Sequence, residues 1–360
     1  MKRNCDLPTL LAPAAGLLLP EQLAQQAADA IRELLAEAAA ANTTRSYATA
    51  LRYWAGWHVA RYGTALVLPV PEAAVLQFAI DHFVRRSKEG TLTWELPPAV
   101  DQALMAAGLK AKPGPWTLAT VRHRVAVLST AHRLKHVTNP CEQSAVRLVL
   151  SRAARASVKR GERPRKKTAI TLAELEAMLA TCDDSLEGLR DCALLCFGFA
   201  SGGRRRSEIA AADLRDLRRV GEDGYIYRLE YSKTQQAGVK ADSTPDKPIL
   251  GRSADALTAW LEAAGVREGA IFRRLWKGRV GPALLPGSVA TIVKRRAALA
   301  GLEGDFGAHS LRSGFVTEAG KQGVPLPAVM AMTEHRSVAS VVGYFQAGSA
   351  EENPAARLLK

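Results

Sequence analysis

Gly202–Leu214 reads GGRRRSEIAAADL. Arg204, Arg205 and Arg206 stand side by side at a loop-to-helix junction, with the apolar run RDCALLCFGFA (Arg190–Ala200) before them and an alanine-rich run after. A junction between two apolar helices packs, so the three guanidiniums cannot all reach water. A guanidinium taken out of water needs a counter-ion. Glu208, three residues after Arg205, lies one helical turn on and can serve. The segment predicts a helical domain that keeps permanent positive charge beside its core.

Outward from that segment, the second half of the chain reads as helices around a small sheet. T-L-A-E at Thr171–Glu174 is a capping box that opens an apolar helix, Leu175–Leu179. Helices are expected over Leu189–Ala200 and Ser207–Asp216. YIYRLEY (Tyr225–Tyr231) alternates, with aromatic and β-branched members, and predicts a strand. The turn-rich KTQQAGVKADSTPD and the short run Ile249–Leu250 complete a small antiparallel sheet, and helices resume to the end. The first half reads as helices only. Leu23, Ala27, Ile31, Leu34 and Leu35 recur at helical spacing. Tyr47, Leu51 and Trp54 form a second stripe, which Asn42, Thr43 or Thr44 could cap. Val75, Phe78, Ala79 and Phe83 mark a third helix opening near Pro71; Trp116–Leu134 and Cys141–Ser157 supply two more. No strand pattern of any length stands before residue 220. The expected fold class is mainly α with a small antiparallel β-sheet.

The 360 residues are long enough for two domains. With 48% hydrophobic and 23% charged residues the chain can fill real cores. Its formal net charge of +14 points to a nucleic-acid partner, because phosphate neutralisation releases counter-ions. Five cysteines (Cys5, Cys141, Cys182, Cys192, Cys196) are an odd number in a long chain, which favours a reducing compartment over a disulfide framework. Cys192 and Cys196 read as small buried hydrophobes. Lys2, Arg3 and the apolar Leu10–Leu19 imitate a signal peptide, but Asp6, Pro8 and Pro13 spoil the imitation. No stretch approaches the ~18 apolar residues of a membrane span. No glycine-rich phosphate loop or carboxylate cluster for magnesium stands in the chain, so no cofactor and no metal is expected. Between Arg152 and Lys167 eight basic residues face one acid, Glu162, and Gly161 and Pro164 break any helix there. This stretch reads as a basic joint between domains, either solvated or lying along a phosphate backbone. The expected division is a tail over 1–20, a helical domain over 21–157, a linker over 158–167 and a second domain over 168–360.

Two further segments carry chemistry. GAHSLRSGF holds His309 and Arg312, whose spacing puts both on one helix face. TEHRSVASVVGYFQAG holds His335 and Tyr344. Lys233 sits in the polar stretch after the expected strand. Arginine forks bind phosphate oxygens bidentately, and a phenol is a competent nucleophile once deprotonated. Each segment alone is commonplace; their order is not.

Arg205, Lys233, His309-x-x-Arg312, His335 and Tyr344, in that order, resemble the tyrosine recombinase (phage integrase) family. GRRRSEI matches the family's first-arginine motif and assigns it to Arg205. The match covers Thr168 to Lys360. The helical domain before it is similar to the family's SAM-like core-binding domain. SAVRLVLSRAARASVKRGERPRK, at the junction, is most similar to the Cre-like members, and NTTRSYATALRYWAGW and the tail ARLLK also fit. Three positions depart from one pattern or the other: Arg204 replaces an apolar residue, Glu334 replaces a glycine, and His335, the commoner family choice, stands where Cre-like members can carry tryptophan. The resemblance implies a site-specific recombinase that cuts and rejoins DNA through a 3′-phosphotyrosine, without metal or ATP. Arg205, Glu208, Lys233, His309, Arg312, His335 and Tyr344 would be its catalytic set. His309 and His335 would donate hydrogen bonds to phosphate oxygens. The partners implied are double-stranded DNA with an inverted-repeat target site and a homo-tetramer on two duplexes, joined by docking of the C-terminal tail. The implied location is cytoplasmic, in a bacterium or from a phage or plasmid.

DNA contacts are expected from Thr43, Thr44 and Arg45 at a helix start, and from Arg122, His123 and Arg124 on the polar side of a major-groove helix. Arg160 of the linker, Arg273, Arg274, Lys277 and Arg279, and the run Lys294–Arg296 are further backbone candidates. Two other readings stay open. A type IB topoisomerase would share the phosphotyrosine chemistry and relax supercoils without a partner duplex. A non-catalytic DNA-binding regulator on the same scaffold would be indifferent to Tyr344→Phe.

Overall fold

A computed structural model describes residues 41–163, 166–221, 224–229 and 245–344, without the side chains of 41 and 344. The expected first helix at Leu23–Leu35, the apolar Leu10–Leu19, Lys233 and the tail after Tyr344 lie outside the described residues. The chain divides into two units, Met1–Pro164 and Arg165–Lys360. Its architecture is mainly helical with small antiparallel sheets. No helix of the described residues is long and apolar enough to cross a membrane.

In the first unit, helices α1 (Ala41–Tyr62), α2 (Glu72–His82), α3 (Pro98–Ala106), α4 (Leu118–Leu134) and α5 (Ser144–Lys159) enclose an aromatic core. Trp54 of α1 stacks on Phe78 of α2 with ring centroids 3.6 Å apart. The fully buried Asp81 is satisfied by Trp57 Nε1 at 2.9 Å, Gln77 Nε2 at 2.7 Å and Arg61 Nε at 3.2 Å. A buried carboxylate with three donors costs little desolvation that is not returned. Asn42, Thr43 and Thr44 lie inside α1, not before it, which corrects their expected capping role. A short antiparallel pair, β1 (Arg85–Arg86) and β2 (Leu92–Thr93), corrects the expectation of no strand before residue 220. Two residues per strand are too few to leave an alternating pattern.

The second unit is built on α7 (Leu186–Ala200), most of whose C-terminal half is buried. Around it stand α6 (Leu172–Leu179), which carries the expected capping box at Thr171 and Glu174, α8 (Arg206–Ala210), α9 (Arg252–Ala263), α10 (Pro286–Leu299), α11 (Ala308–Lys321), α12 (Leu326–Thr333) and α13 (Val338–Tyr344). A three-stranded antiparallel sheet runs in the order β3 (Leu217–Val220), β4 (Gly224–Arg228), β5 (Asp246–Leu250). The helix expected over Ser207–Asp216 is shorter, ending at Ala210 before a 3₁₀ turn at Leu214–Asp216. A hairpin, β6 (Arg273–Trp276) and β7 (Arg279–Ala283), stands where only helices were expected. β7 is largely exposed, and in β6 the half-buried positions are Arg273 and Leu275 against exposed Arg274 and Trp276, so neither strand alternates apolar with polar residues.

On β5 the inward positions are Lys247 and Ile249, both fully buried. Register places Lys247 opposite Tyr227 of β4. The α11 backbone runs against the chain before α6, with Ile170 N donating to Ser310 O at 3.0 Å. Gly314 permits that approach: a Cβ there would lie 1.6 Å from Ile170 O.

Candidate active site

Arg205 is the N-cap of α8. One oxygen of Glu208 accepts from Arg205 N at 3.1 Å and the other from Arg205 Nη1 at 2.6 Å. The capping geometry and the ion pair therefore use one carboxylate, and Arg205 keeps a partly exposed guanidinium. Burial alone would raise the Glu208 pKa; Arg204 and Arg205 outweigh it and hold the group below the usual carboxylate range.

Arg312 comes from α11 and is buried. Its Nη1 donates to Gly203 O at 3.1 Å and its Nη2 to Thr333 O at the end of α12. Gly203 has φ +70°, and a Cβ there would lie 2.4 Å from Arg312 Cα. The loop that presents Arg205 thus touches the helix that presents Arg312, and only glycine allows both the conformation and the approach.

His335 completes the cluster. Its Nε2 lies 3.2 Å from Arg312 Nη2, and its Nδ1 lies 2.7 Å from Thr333 Oγ1. The Thr333 hydroxyl donates to Val329 O at 2.7 Å, so its oxygen accepts from His335. That assigns the proton to Nδ1 and leaves a lone pair on Nε2, facing Arg312. Burial first, then Arg312, Arg205, Arg204 and His309, pull the imidazole down to about 4. His335 is therefore neutral at pH 7 in the free protein, with Nε2 placed to accept from Arg312. His309, exposed on α11 one turn before Arg312, adds to the same field.

The structure therefore gathers Arg205, Glu208, Arg312 and His335, with His309 acting on His335. Lys233 and the Tyr344 side chain lie outside the described residues; the Tyr344 backbone closes α13. Two guanidiniums and an imidazole converging from three segments suit a tetrahedral anion whose charge grows during reaction. Two charged neighbours were not singled out as site residues. Arg204 is buried and donates to Met332 O at 2.6 Å. Lys247 is buried and donates to Ala331 O at 2.8 Å.

The expected DNA-facing residues divide. Thr43, Thr44, Arg45, Arg122 and His123 are exposed, and His123 Nε2 lies 3.0 Å from Ser46 Oγ, which joins the start of α1 to α4. Arg124 is not on the polar side: its guanidinium lies 4.2 Å from the ring centroids of Tyr53 and of Trp116. Successive helical residues turn by about 100°, so three in a row cannot share one face. Burial pulls Arg124 down to about 10. Arg160 caps α5 and its Nε donates to Glu162 at 2.7 Å, which folds it back on its own turn. Arg273 donates to Ala270 O at 2.9 Å and Glu268 O at 2.6 Å, whereas Arg274, Lys277 and Arg279 are exposed on the hairpin. Arg295 and Arg296 both bond the fully buried Asp191, which needs cations more than the solvent does; only Lys294 of that run is exposed.

Residues 168–351 match the phage integrase family. An integrase/recombinase xerD homolog of Selenomonas ruminantium is 33% identical over 244 residues, covering 64% of this chain and 69% of that protein. Among solved structures, a lambda integrase (75–356) dimer bound to a COC′ core site superposes with a TM-score of 0.53 at 16% identity, covering 89% of this chain and 94% of that one. The Tn1549 transposon integrase in complex with circular intermediate DNA gives 0.52 at 14% identity, covering 92% and 97%. At such identities the two structures speak for the fold alone.

Proposed function

Because the chain belongs to the phage integrase family, we propose that it is a site-specific recombinase that breaks and reseals DNA through a covalent link to Tyr344. The observation that carries this reading is the convergence of Arg205 and Arg312 beside His335, with Tyr344 ending the helix that follows. The two guanidiniums would grip the non-bridging oxygens of the scissile phosphate and offset the charge of the pentavalent transition state. Glu208 would orient Arg205. The phenol oxygen of Tyr344 forms the new bond to phosphorus as the bond to the 5′-oxygen breaks. His309 would help remove the phenol proton, and Lys233 would protonate the departing oxygen. The phosphodiester energy stays in the new ester, so resealing needs neither nucleotide nor metal.

The accepting Nε2 of His335 gives that residue two stages. In the free protein it props Arg312. When phosphate negative charge enters, protonation of Nε2 becomes favourable and the imidazolium can donate to a phosphate oxygen. DNA with an inverted-repeat site, a tetramer on two duplexes, tail docking and a closer kinship with Cre-like members belong to the same proposal. The core-binding assignment of the first domain does too; exposed Thr43, Thr44, Arg45, Arg122 and His123 support it.

Covalent capture tests the reading. Protein is incubated with a pool of nicked duplexes cut from DNA flanking its gene, then run on a denaturing gel. A slower, protease-sensitive band should form, persist with chelator present and disappear in Tyr344→Phe. A band that requires magnesium, or survives Tyr344→Phe, would overturn it. Supercoil relaxation without a partner duplex would favour the topoisomerase alternative.

A further inference from the structure

We propose that Lys247, Arg204 and Glu334 are positioning residues: a buried charge cluster that clamps the end of α12 and so sets the geometry of Arg312 and His335. This rests on the recombinase reading above and adds residues to it.

The last three carbonyls of α12 are taken by three buried cations from three different elements. Lys247 Nζ of β5 donates to Ala331 O at 2.8 Å. Arg204 Nη2, from the loop before α8, donates to Met332 O at 2.6 Å. Arg312 Nη2 of α11 donates to Thr333 O. A helix C-terminus carries partial negative charge and free carbonyls, so cations fit there. Three full charges are more than a helix end can neutralise. Glu334, the next residue, supplies the acid.

Glu334 is held in the left-handed region at φ 56°, ψ 38°, a conformation disfavoured for a non-glycine residue. Its side chain is 6% exposed, and Oε1 lies 3.2 Å from Lys247 Nζ. The two groups form a buried ion pair. Burial pulls the Lys247 pKa down and Glu334 is the main group pushing it back up; Glu334 likewise supports protonated Arg204, after Glu208. A strained, buried, acidic residue at this point makes sense as the counter-ion of Lys247 and Arg204. Positions 204 and 334 both depart from the family pattern, one gaining a positive charge and the other a negative one.

The geometric consequence falls on the site. Thr333 lies between Met332, held by Arg204, and Glu334, held by Lys247. Its carbonyl accepts from Arg312 and its hydroxyl accepts from His335. Fixing residues 331–334 therefore fixes two groups of the candidate site. Among the described residues, Arg204, Arg205, Lys247 and Arg312 stand against Glu208 and Glu334, with Asp246 also acting on Lys247, which leaves surplus positive charge for a phosphate.

Single-turnover cleavage of the duplex captured by the wild type, with non-covalent DNA affinity and hydrogen exchange of the residue 330–335 amides, tests this. Glu334→Gln keeps the shape and removes the charge. It should slow cleavage about 10- to 100-fold, as sub-ångström misplacement does, with affinity within about twofold. Glu334→Gln with Lys247→Met removes both charges of the pair, leaves Arg204 its ion pair with Glu208 and should fold even where a single change does not. It should match wild-type thermal stability, yet exchange faster at residues 330–335 and stay slow in cleavage. Wild-type cleavage in either variant, or unchanged exchange in the double variant, overturns the proposal. Failure of the wild type itself to form any covalent product sinks the recombinase reading instead.

Discussion

His335 is bracketed by a hydroxyl that can only accept and a guanidinium that can only donate, so its surroundings dictate its charge state. The imidazole should stay neutral down to about 4, and nitrogen-detected NMR of the side chain would follow it. A midpoint near the ordinary 6.5 would contradict the arrangement. Adding an oxyanion such as vanadate should raise the midpoint. The stability consequence has a definite sign. His335 and His82, the latter pulled to about 3 chiefly by burial, take protons more readily unfolded than folded. Their contribution is complete above about 6.5 and is lost as pH falls toward the folded values. At this scale Arg205, Glu208, His309, Arg312 and His335 were legible in the chain through the order and spacing of three short segments, none of which is telling alone. Lys247 was not. Its burial depends on strand register against Tyr227, and no neighbour in the sequence marks it. Nor does a run of three arginines say that Arg204 turns inward while Arg206 stays exposed.

Among the elements, α11 carries two of the candidate site residues and depends on one glycine. Gly314→Ala would force a methyl group against Ile170 O and should cost more than about 3 kcal/mol in urea unfolding of the second unit, or prevent folding. Gly287→Ala in α10, where a Cβ meets nothing within 4 Å, should be neutral or stabilise by about 0.5 kcal/mol. Equal effects would contradict the packing described. Long periodic helices such as α4 and α7 were readable because an apolar stripe repeats over several turns. The strands β1, β2, β6 and β7 were not, since short or exposed pairing leaves no alternation to read.

For the whole molecule the dominant long-range property is the surplus of positive charge. Binding to duplex DNA should weaken steeply with salt, each neutralised phosphate adding about 0.9 to the log–log slope. Replacing Arg274, Lys277 and Arg279 together with alanine should lower that slope by about 2 to 3 if all three meet phosphates. Thermal stability should hardly change, because all three are exposed. An unchanged slope would remove the hairpin from the DNA interface. The two-domain expectation came from length and the basic joint, and the folded chain parts into its two units between Pro164 and Arg165, inside that joint. The order of the two units along one duplex is a property of the assembly, which no single-chain pattern encodes.

Trp276 on that same hairpin is 74% exposed, whereas Trp54, Trp57 and Trp260 are sealed in their cores. Indole emission shifts to longer wavelength in water, and iodide quenches only rings it can touch. Trp94, at 40% exposed, is the other indole open to water; with Trp94 replaced by phenylalanine, light collected at the red edge comes largely from the hairpin, and the protein then carries an optical probe beside the exposed Arg274, Lys277 and Arg279.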